Sequence, residues 1–148
     1  MQSFFKQEKV FTKMINLFRN PALIRMGRPQ RIEYLRRESG EPQNGILSFT
    51  IVPLPYDSVI RVSGTLPDKL TAFKSNAMPV KVTFVTTEIS EHAVIVKVGE
   101  DLRQDMFVLG VLRLVDWIWK KEKLDLKLTP YRCMALTLTD GKGNVVVM

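Results

Sequence analysis

The stretch Lys97–Tyr131 reads KVGEDLRQDMFVLGVLRLVDWIWKKEKLDLKLTPY and carries most of the information about the fold. Lys97 closes an apolar run, and Gly99 breaks that run before a segment with helical spacing. Asp105 lies one turn into this helix, so a chain that folds back at Gly99 could bring its carboxylate to the Lys97 ammonium. The stretch therefore predicts a strand and a helix that hold one cation at a fixed point.

Size and composition favour one globular domain. The chain has 148 residues, 45% of them hydrophobic, and a mean hydropathy of -0.01, which is enough for a packed core. No stretch reaches the roughly 18 uninterrupted apolar residues of a membrane span, and the first residues lack the pattern of a secretory signal. With Cys133 as the single cysteine, no internal disulfide is available, which favours a reducing, cytoplasmic setting.

Positive charge is concentrated at the start of the chain. Residues 1–40 contain nine Lys and Arg against three Glu, a net charge of +6 out of the total +7. This excess could contact an anionic membrane or an acidic partner. A solvated helix face, or a face covered by a missing domain, is the simpler interpretation. No aromatic and basic platform accompanies the charge, so nucleic acid is not an expected partner.

Helices are predicted before residue 40 and strands after it. An apolar stripe predicts a helix over about Ser3–Arg19, which ends before Pro21 because proline disfavours helix in the preceding residue. A second helix is predicted over Arg28–Arg37, and Ser39–Gly45 is a predicted loop. The predicted strands are Ile46–Val52, Val59–Val62, Val80–Thr87, Ala93–Val98, Leu126–Leu128, Cys133–Leu138 and Asn144–Met148.

The main helix is predicted to begin at Asp101, with Gln104 as its capping-box partner, and to run to about Lys121. Apolar residues occupy most of its circumference, which predicts burial on more than one side. Asp140–Gly143 is a predicted hairpin turn.

A lysine on a strand, held by a carboxylate on a helix, is also how kinases position phosphates for transfer. Structural ion pairs greatly outnumber catalytic ones, so the pair alone is weak evidence. The sequence motifs around this pair are more specific for a protein family. Gly99–Asp105 (GEDLRQD) resembles the GDDLRQD signature of the phosphatidylinositol 3- and 4-kinase superfamily, and Leu124–Tyr131 (LDLKLTPY) resembles the block that follows it in phosphatidylinositol 3-kinases.

Upstream blocks extend the resemblance over about residues 28–148. Pro53–Pro55, Gly64–Pro67 and Phe73–Pro79 are most similar to the class III, vacuolar-sorting phosphatidylinositol 3-kinases. The resemblance implies an α+β fold like the amino-terminal lobe of protein kinases, with an antiparallel five-stranded sheet and one main packed helix. Residues 1–40 would then be a basic helical segment from an accessory domain and linker, and residues 41–148 the lobe.

The resemblance also assigns the candidate ATP-binding residues. Lys97 would contact the ATP phosphates, Asp105 would orient it, and Tyr131 would share their polar network. Phe73–Pro79 would be the phosphate-binding loop between the first two lobe strands. The candidate residues of this loop are Ser75, Asn76, Ala77 and Pro79. Ile95 would form a wall of the cleft, and the backbone of Val145 and Val146 at the hinge would pair with adenine.

The catalytic parts of the family are missing from this sequence. The strings of the catalytic loop (DRHxxN) and the metal-binding DFG do not occur in it. We therefore expect no catalytic residue and no metal ligand within the chain, with the Mg²⁺ ligands supplied by a carboxy-terminal lobe. The 148 residues alone should not transfer phosphate.

Three functions remain open at this point. The first is the ATP-binding lobe of a phosphatidylinositol 3-kinase, whose parent enzyme would act at endosomal or autophagic membranes from the cytoplasm. ATP and the phosphatidylinositol surface would be its partners, and a regulatory subunit could be a third. The second is the corresponding lobe of a phosphatidylinositol 4-kinase or related protein kinase, and the third is a non-catalytic, pseudokinase-like interaction module.

Five other residues are given structural roles. His92 is predicted to lie in a surface turn without a partner, and Trp117 and Trp119 to be packing anchors. Cys133 is predicted to be a small buried hydrophobe, and the same is expected of Met134.

Overall fold

The α+β class is confirmed by a computed structural model that describes residues 2–75, 78–88, 91–98, 102–137 and 144–147. Of residues 2–5, 136, 137 and 144–147 it describes the backbone only. Its α-helices are α1 (Gln2–Phe18), α2 (Arg28–Gly40) and α3 (Arg103–Lys121). Its strands are β1 (Ser48–Leu54), β2 (Asp57–Thr65), β3 (Thr71–Ala72), β4 (Val80–Thr86), β5 (Glu91–Val98), β6 (Met134–Thr137) and β7 (Asn144–Val147). Short 3-10 turns cover Pro21–Arg25, Pro42–Asn44 and Pro67–Lys69.

The strands form one antiparallel sheet, as predicted. Its order is β1-β2-β4-β5-β7-β6, with β3 paired to β4. Within the described residues the ladder has seven strands, two more than the predicted five, because it includes short strands such as the two-residue β3.

One face of the sheet is covered by α1 and α2. The apolar stripe of α1 (Phe11, Met14, Ile15 and Phe18) is buried against sheet residues such as Phe84 and Val94. The rings of Phe11 and Phe84 are tilted, with their centroids 6.0 Å apart. The helices and the strands therefore share one core, and the predicted division near residue 40 stays a prediction.

Two arginines attach α2 to the sheet through its backbone. Arg28 Nε donates to the carbonyl of Ala72 at 2.6 Å, and Arg36 Nε donates to the carbonyl of Leu70 at 3.0 Å. Part of the positive charge at the start of the chain thus has a structural role, since a charged donor strengthens a hydrogen bond.

Gly64 allows the close approach of the chain before β1 to β2. A Cβ atom at this position would collide with the carbonyl group of Leu47, which itself accepts a hydrogen bond from the Thr65 amide at 3.1 Å. A side chain here would have to push the two segments apart. The close contact gives a physical reason for a glycine in the Gly64–Pro67 block.

The other face of the sheet is much less covered, and the predicted burial of α3 is wrong. In α3 only Leu109 is buried, whereas Phe107 is 72% and Leu114 55% exposed. Trp117, a predicted packing anchor, is 53% exposed and lies under the Lys121 ammonium, 3.8 Å from the ring centroid. The helix forms, but most of its apolar surface finds no partner among the described residues.

Several element boundaries differ from the predictions. The N-cap of α3 is Leu102, which has no capping hydrogen bond from its side chain, and the predicted cap Asp101 lies outside the described residues. The helix α2 continues through Ser39 to Gly40. The strand predicted at Leu126–Leu128 does not form, because Asp125 Oδ1 accepts from the Lys127 amide at 3.0 Å and Lys127 has a positive φ of 55°.

The predictions for the end of the chain are tested only in part. The strands β6 and β7 pair antiparallel, while the predicted turn Asp140–Gly143 lies outside the described residues. Cys133 and Met134 are half-buried rather than buried. None of the described helices is long and apolar enough to cross a membrane.

Candidate functional site

The strand β5 separates its side chains between the two faces of the sheet. Val94 and Val96 point into the core, at 0% and 1% exposure. Because side chains alternate along a strand, Ile95 and Lys97 lie on the opposite face, where both are half-buried. The predicted cleft wall and the predicted phosphate-binding lysine therefore share the face that α1 and α2 leave open.

The predicted hinge runs directly beside this lysine. In the antiparallel ladder Lys97 pairs with Val146 and Val98 pairs with Val145. An adenine bound to the backbone of this segment would thus have the Lys97 strand as its neighbour. The side chains of Val145 and Val146 lie outside what the structure describes.

Asp105 lies in the first turn of α3 and is half-buried. Its charge and that of Lys97 both act on the thiol of Cys133. Burial raises the pKa of Cys133, Asp105 raises it further, and the cations Arg113 and Lys97 lower it. A carboxylate from α3 and an ammonium from β5 therefore both act electrostatically on Cys133, just before β6, and a direct ion pair between them stays a prediction.

Tyr131 lies next to this point in the chain segment between α3 and β6. Its backbone carbonyl accepts a hydrogen bond from Arg113 Nη2 at 2.6 Å, which ties the segment to α3. The side chain of Tyr131 is 49% exposed. Its predicted place in the polar network of Lys97 and Asp105 stays a prediction, whereas the role of Arg113 was missed.

Arg113 could have been noticed from its spacing. It follows Asp105 by two turns and Leu109 by one, which places it on the side of the helix that faces the sheet. A charged residue at such a position usually satisfies a backbone group or a carboxylate.

The predicted phosphate-binding loop connects β3 to β4, and not the first two strands, because the hairpin β1–β2 precedes it. Inside the loop the Ser75 amide donates to the Phe73 carbonyl at 3.2 Å, and the Met78 amide donates to the Ser75 carbonyl at 3.0 Å. The Phe73 amide donates to the Pro79 carbonyl at 2.9 Å. These three amides are engaged, so a phosphate could use them only by sharing or opening those bonds.

Other groups of the loop stay available as candidates. Ser75 and Lys74 are exposed, and Pro79 is half-buried beside the start of β4. Met78 has a positive φ of 39°, so the backbone turns sharply here. Asn76 and Ala77 lie outside the described residues.

A polar pair at the other end of β5 was also missed. His92 belongs to β5 rather than to a turn, and its Nε2 is 2.7 Å from the hydroxyl of Tyr56. Burial, and then the charge of Asp57, raises the pKa of Tyr56 to about 12, against the opposing effect of Arg132. Arg132 forms an ion pair with Asp57, which links the segment before β6 to the hairpin β1–β2.

The described residues contain no cluster of three or more His, Cys, Asp or Glu that could hold a metal ion. The arrangement is therefore one of positioning: Lys97 lies beside the backbone of β7, which is itself paired with both β5 and β6, and Asp105 lies in the first turn of α3. This suits contact with an anionic, planar ligand better than acid-base chemistry.

Comparisons with known proteins agree with this geometry. The family model for phosphatidylinositol 3- and 4-kinases matches residues 91–147, which contain β5, α3, β6 and β7. The chain is 38% identical over 140 residues to the phosphatidylinositol 3-kinase of Schizosaccharomyces pombe, covering 95% of the chain and 18% of that protein. The chain is homologous to a segment of phosphatidylinositol 3-kinases.

Two further relatives support the same homology. The chain is 35% identical to the phosphatidylinositol 3-kinase catalytic subunit type 3 of Caenorhabditis elegans, over 93% of the chain and 16% of that protein. It is also 35% identical to the human phosphatidylinositol 3-kinase C2 domain-containing subunit gamma, over 79% of the chain and 8% of that protein. The chain spans less than a fifth of the length of these relatives.

Proposed function

We propose that this chain is the amino-terminal, ATP-binding lobe of a phosphatidylinositol 3-kinase of class III type. The parent enzyme would move the γ-phosphate of ATP to the 3-hydroxyl of phosphatidylinositol. The observation that carries the proposal is the position of Lys97, in register with Val146 of the proposed hinge strand on β7, with the charges of Lys97 and Asp105 both acting on Cys133.

Each candidate residue then has a defined task. Lys97 neutralises phosphate charge, and Asp105 orients its ammonium. Ile95 forms a wall of the cleft, and the backbone of Val145 and Val146 binds the adenine edge. The Ser75 hydroxyl, with the neighbouring Asn76 and Ala77, approaches the phosphates.

The catalytic base and the Mg²⁺ ligands would come from outside these 148 residues, so the chain alone is inactive. Its parent would be a cytoplasmic enzyme at the periphery of endosomal or autophagic membranes, with a regulatory subunit as a possible partner. The relative named as a type 3 catalytic subunit supports the class, and the relatives named above support a 3-kinase over a 4-kinase.

Affinity labelling tests the proposal even if half a cleft binds ATP weakly. In an acyl phosphate derivative of ATP, a lysine amine beside the phosphates attacks the acyl carbon. An amide bond forms to the lysine, the bond between acyl carbon and phosphate oxygen breaks, and ATP leaves. We expect peptide mass spectrometry to find the label on Lys97, and excess ATP to suppress it.

Lys9→Met provides a matched control, because Lys9 is exposed on α1 and lies far from the candidate site in the fold. Lys97→Met should remove the ATP-suppressible label, and Lys9→Met should leave it unchanged. Equal labelling of all exposed lysines, insensitive to ATP, would show that the site does not bind the nucleotide. The gene sequence beyond the codon for Met148 tests the rest, since the strings DRHxxN and DFG should follow.

A second candidate function is favoured by α3. Its exposed apolar residues, such as Phe107 and Leu114, would suit a non-catalytic interaction module that binds another protein through this helix. If the chain is such a module, Lys97 should carry no ATP-suppressible label. The same experiment therefore separates the two functions.

A further inference from the structure

A cavity lies on the covered face of the sheet, next to Met78 of the predicted phosphate-binding loop. It has a volume of about 370 Å³ and is bounded by the end of α1, the turn Pro21–Arg25, α2 and the strands β4 and β5. Leu23, Val80 and Val96 form apolar walls. Val96 and Lys97 are neighbours on β5, so they point to opposite faces, and the cavity is separated from Lys97 by the sheet.

The guanidinium of Arg31 lines this cavity in an unusual state. Its Nε is buried and has no hydrogen-bond partner among the described residues. Burial lowers the pKa of the half-buried Arg31, and among the described residues no carboxylate offsets that effect. A buried N–H donor without a partner is unfavourable, so this position is suited to an acceptor that the described residues do not supply.

Its neighbours on the same helix show what is missing. Arg28 Nε and Arg36 Nε donate to the carbonyls of Ala72 and Leu70. Arg31 lies between these two residues in α2, yet its Nε points to no carbonyl of the described chain. The difference indicates that the Arg31 guanidinium is not a structural clamp.

The other polar groups around the cavity favour a negatively charged ligand. The Asn20 amide is already engaged, because Nδ2 donates to the Tyr34 hydroxyl at 2.7 Å and Oδ1 accepts from the Ala22 amide at 3.0 Å. Arg19 also lines the cavity and adds positive charge. A guanidinium offers parallel N–H donors that match the oxygens of a phosphate.

We propose that this cavity binds a phosphate monoester carried on a short apolar chain. The phosphate would receive the Arg31 Nε–H, and the apolar chain would lie against Leu23, Val80 and Val96. The volume is at the lower end of the roughly 300–1,000 Å³ of small-molecule sites, which suits a ligand of this size. Val96 of the cavity and Lys97 of the proposed ATP site lie on opposite faces of the sheet, and Met78 of the predicted phosphate-binding loop lines the cavity.

Hexyl phosphate is a soluble probe of this chemistry, and methyl NMR of the whole chain reports where it binds. We expect shifts at the methyl groups of Leu23, Val80 and Val96 and tighter binding than that of inorganic phosphate, which lacks the apolar chain. Arg31→Met should weaken hexyl phosphate binding about tenfold, as the loss of a charged hydrogen bond predicts. Arg31→Lys should restore only part of the affinity, since it keeps the charge without the fork.

Arg37→Met is the matched control, because Arg37 is an exposed arginine of the same helix, paired with Glu38 and lying over the Tyr34 ring, and it does not line the cavity. It removes the same charge and should leave binding unchanged. Equal weakening by Arg31→Met and Arg37→Met would reduce the effect to general electrostatics and overturn the proposal. The absence of shifts in spectra of the folded chain would overturn it as well.

Two arms distinguish the sources of such a ligand. Vesicles of phosphatidylcholine with phosphatidic acid present the phosphate monoester on a membrane, and vesicles without it are the reference. Arg31-dependent binding to the first vesicles identifies a lipid headgroup, whereas binding of soluble hexyl phosphate alone identifies a free metabolite. If neither probe depends on Arg31, the proposal is wrong.

Discussion

The helices α1 and α3 are of similar length, 17 and 19 residues, but the structure treats their apolar surfaces in opposite ways. The stripe of α1 is buried against the sheet, with Ile15 at 1% exposure. In α3 the polar side, with Asp105, Arg113 and the buried Leu109, faces the sheet, and most apolar residues face outward. The apolar surface of α1 therefore stabilises the fold. In α3 the polar side lies toward the candidate site, and most of the apolar side has no partner among the described residues.

The largest expected effect separates the two helices by stability. Ile15→Ala leaves a cavity in a packed core and should lower the free energy of unfolding by about 2–5 kcal/mol. Leu114→Ala on α3 is the matched change at a site that is 55% exposed, and it should stay within roughly 0.5 kcal/mol. Urea unfolding of both variants measures this difference. Similar losses in the two variants would mean that the outer side of α3 is packed within this chain.

A smaller effect concerns the Tyr56–His92 pair, at the other end of β5 from Lys97. The pKa of Tyr56 is raised from 10.0 to about 12, so the folded chain favours the neutral phenol. Its contribution to stability is full below pH 10 and is lost as the pH rises to about 12. Because the side chain is half-buried, screening by solvent reduces this contribution to roughly 1 kcal/mol.

That contribution is measured by comparing the free energies of unfolding of the wild type and Tyr56→Phe between about pH 9 and pH 12. This interval spans the ordinary and the raised pKa of Tyr56. The difference between the two proteins should change over this interval, since phenylalanine does not ionise. A constant difference would show that Tyr56 has an ordinary pKa and that its environment is more open than the structure indicates.

The smallest effect reports on the convergence of Lys97 and Asp105. Asp105→Asn removes a charge that raises the pKa of Cys133 and should speed alkylation of the thiol by iodoacetamide at pH near 8 about twofold. Lys97→Met removes a charge that lowers this pKa and should slow alkylation by a similar factor. The remote variant Asp68→Asn is the control and should leave the rate unchanged. If both site variants behave like that control, the two charges do not meet near Cys133.

The sequence predicted the elements whose signals are local. Pro21 marked the end of α1, and alternation marked β4 and separated Lys97 from Val96 on β5. It could not predict which surface covers α3, because an apolar residue indicates burial without naming the partner. It also missed the turn at Asp125–Lys127, where one side-chain hydrogen bond replaced a predicted strand.

The candidate site was predicted unevenly for the same reason. The sheet register brings Lys97 beside Val146, a pairing that the sequence analysis did not predict. The contact of Tyr56 with His92 joins residues 36 positions apart in the chain and left no local signal. The amides of the predicted phosphate loop are hydrogen-bonded inside the loop, which no sequence pattern indicated.

Titration of the isotopically labelled chain with ATP, followed by backbone amide NMR, tests the central claim most directly. The account predicts shifts at Ile95, Lys97, Val145 and Val146 on and beside the open face of β5, with no shift at Leu35 in α2 on the covered face. Shifts confined to the residues that pack under α1 and α2, or their absence at Lys97 and Val146 alike, would contradict it.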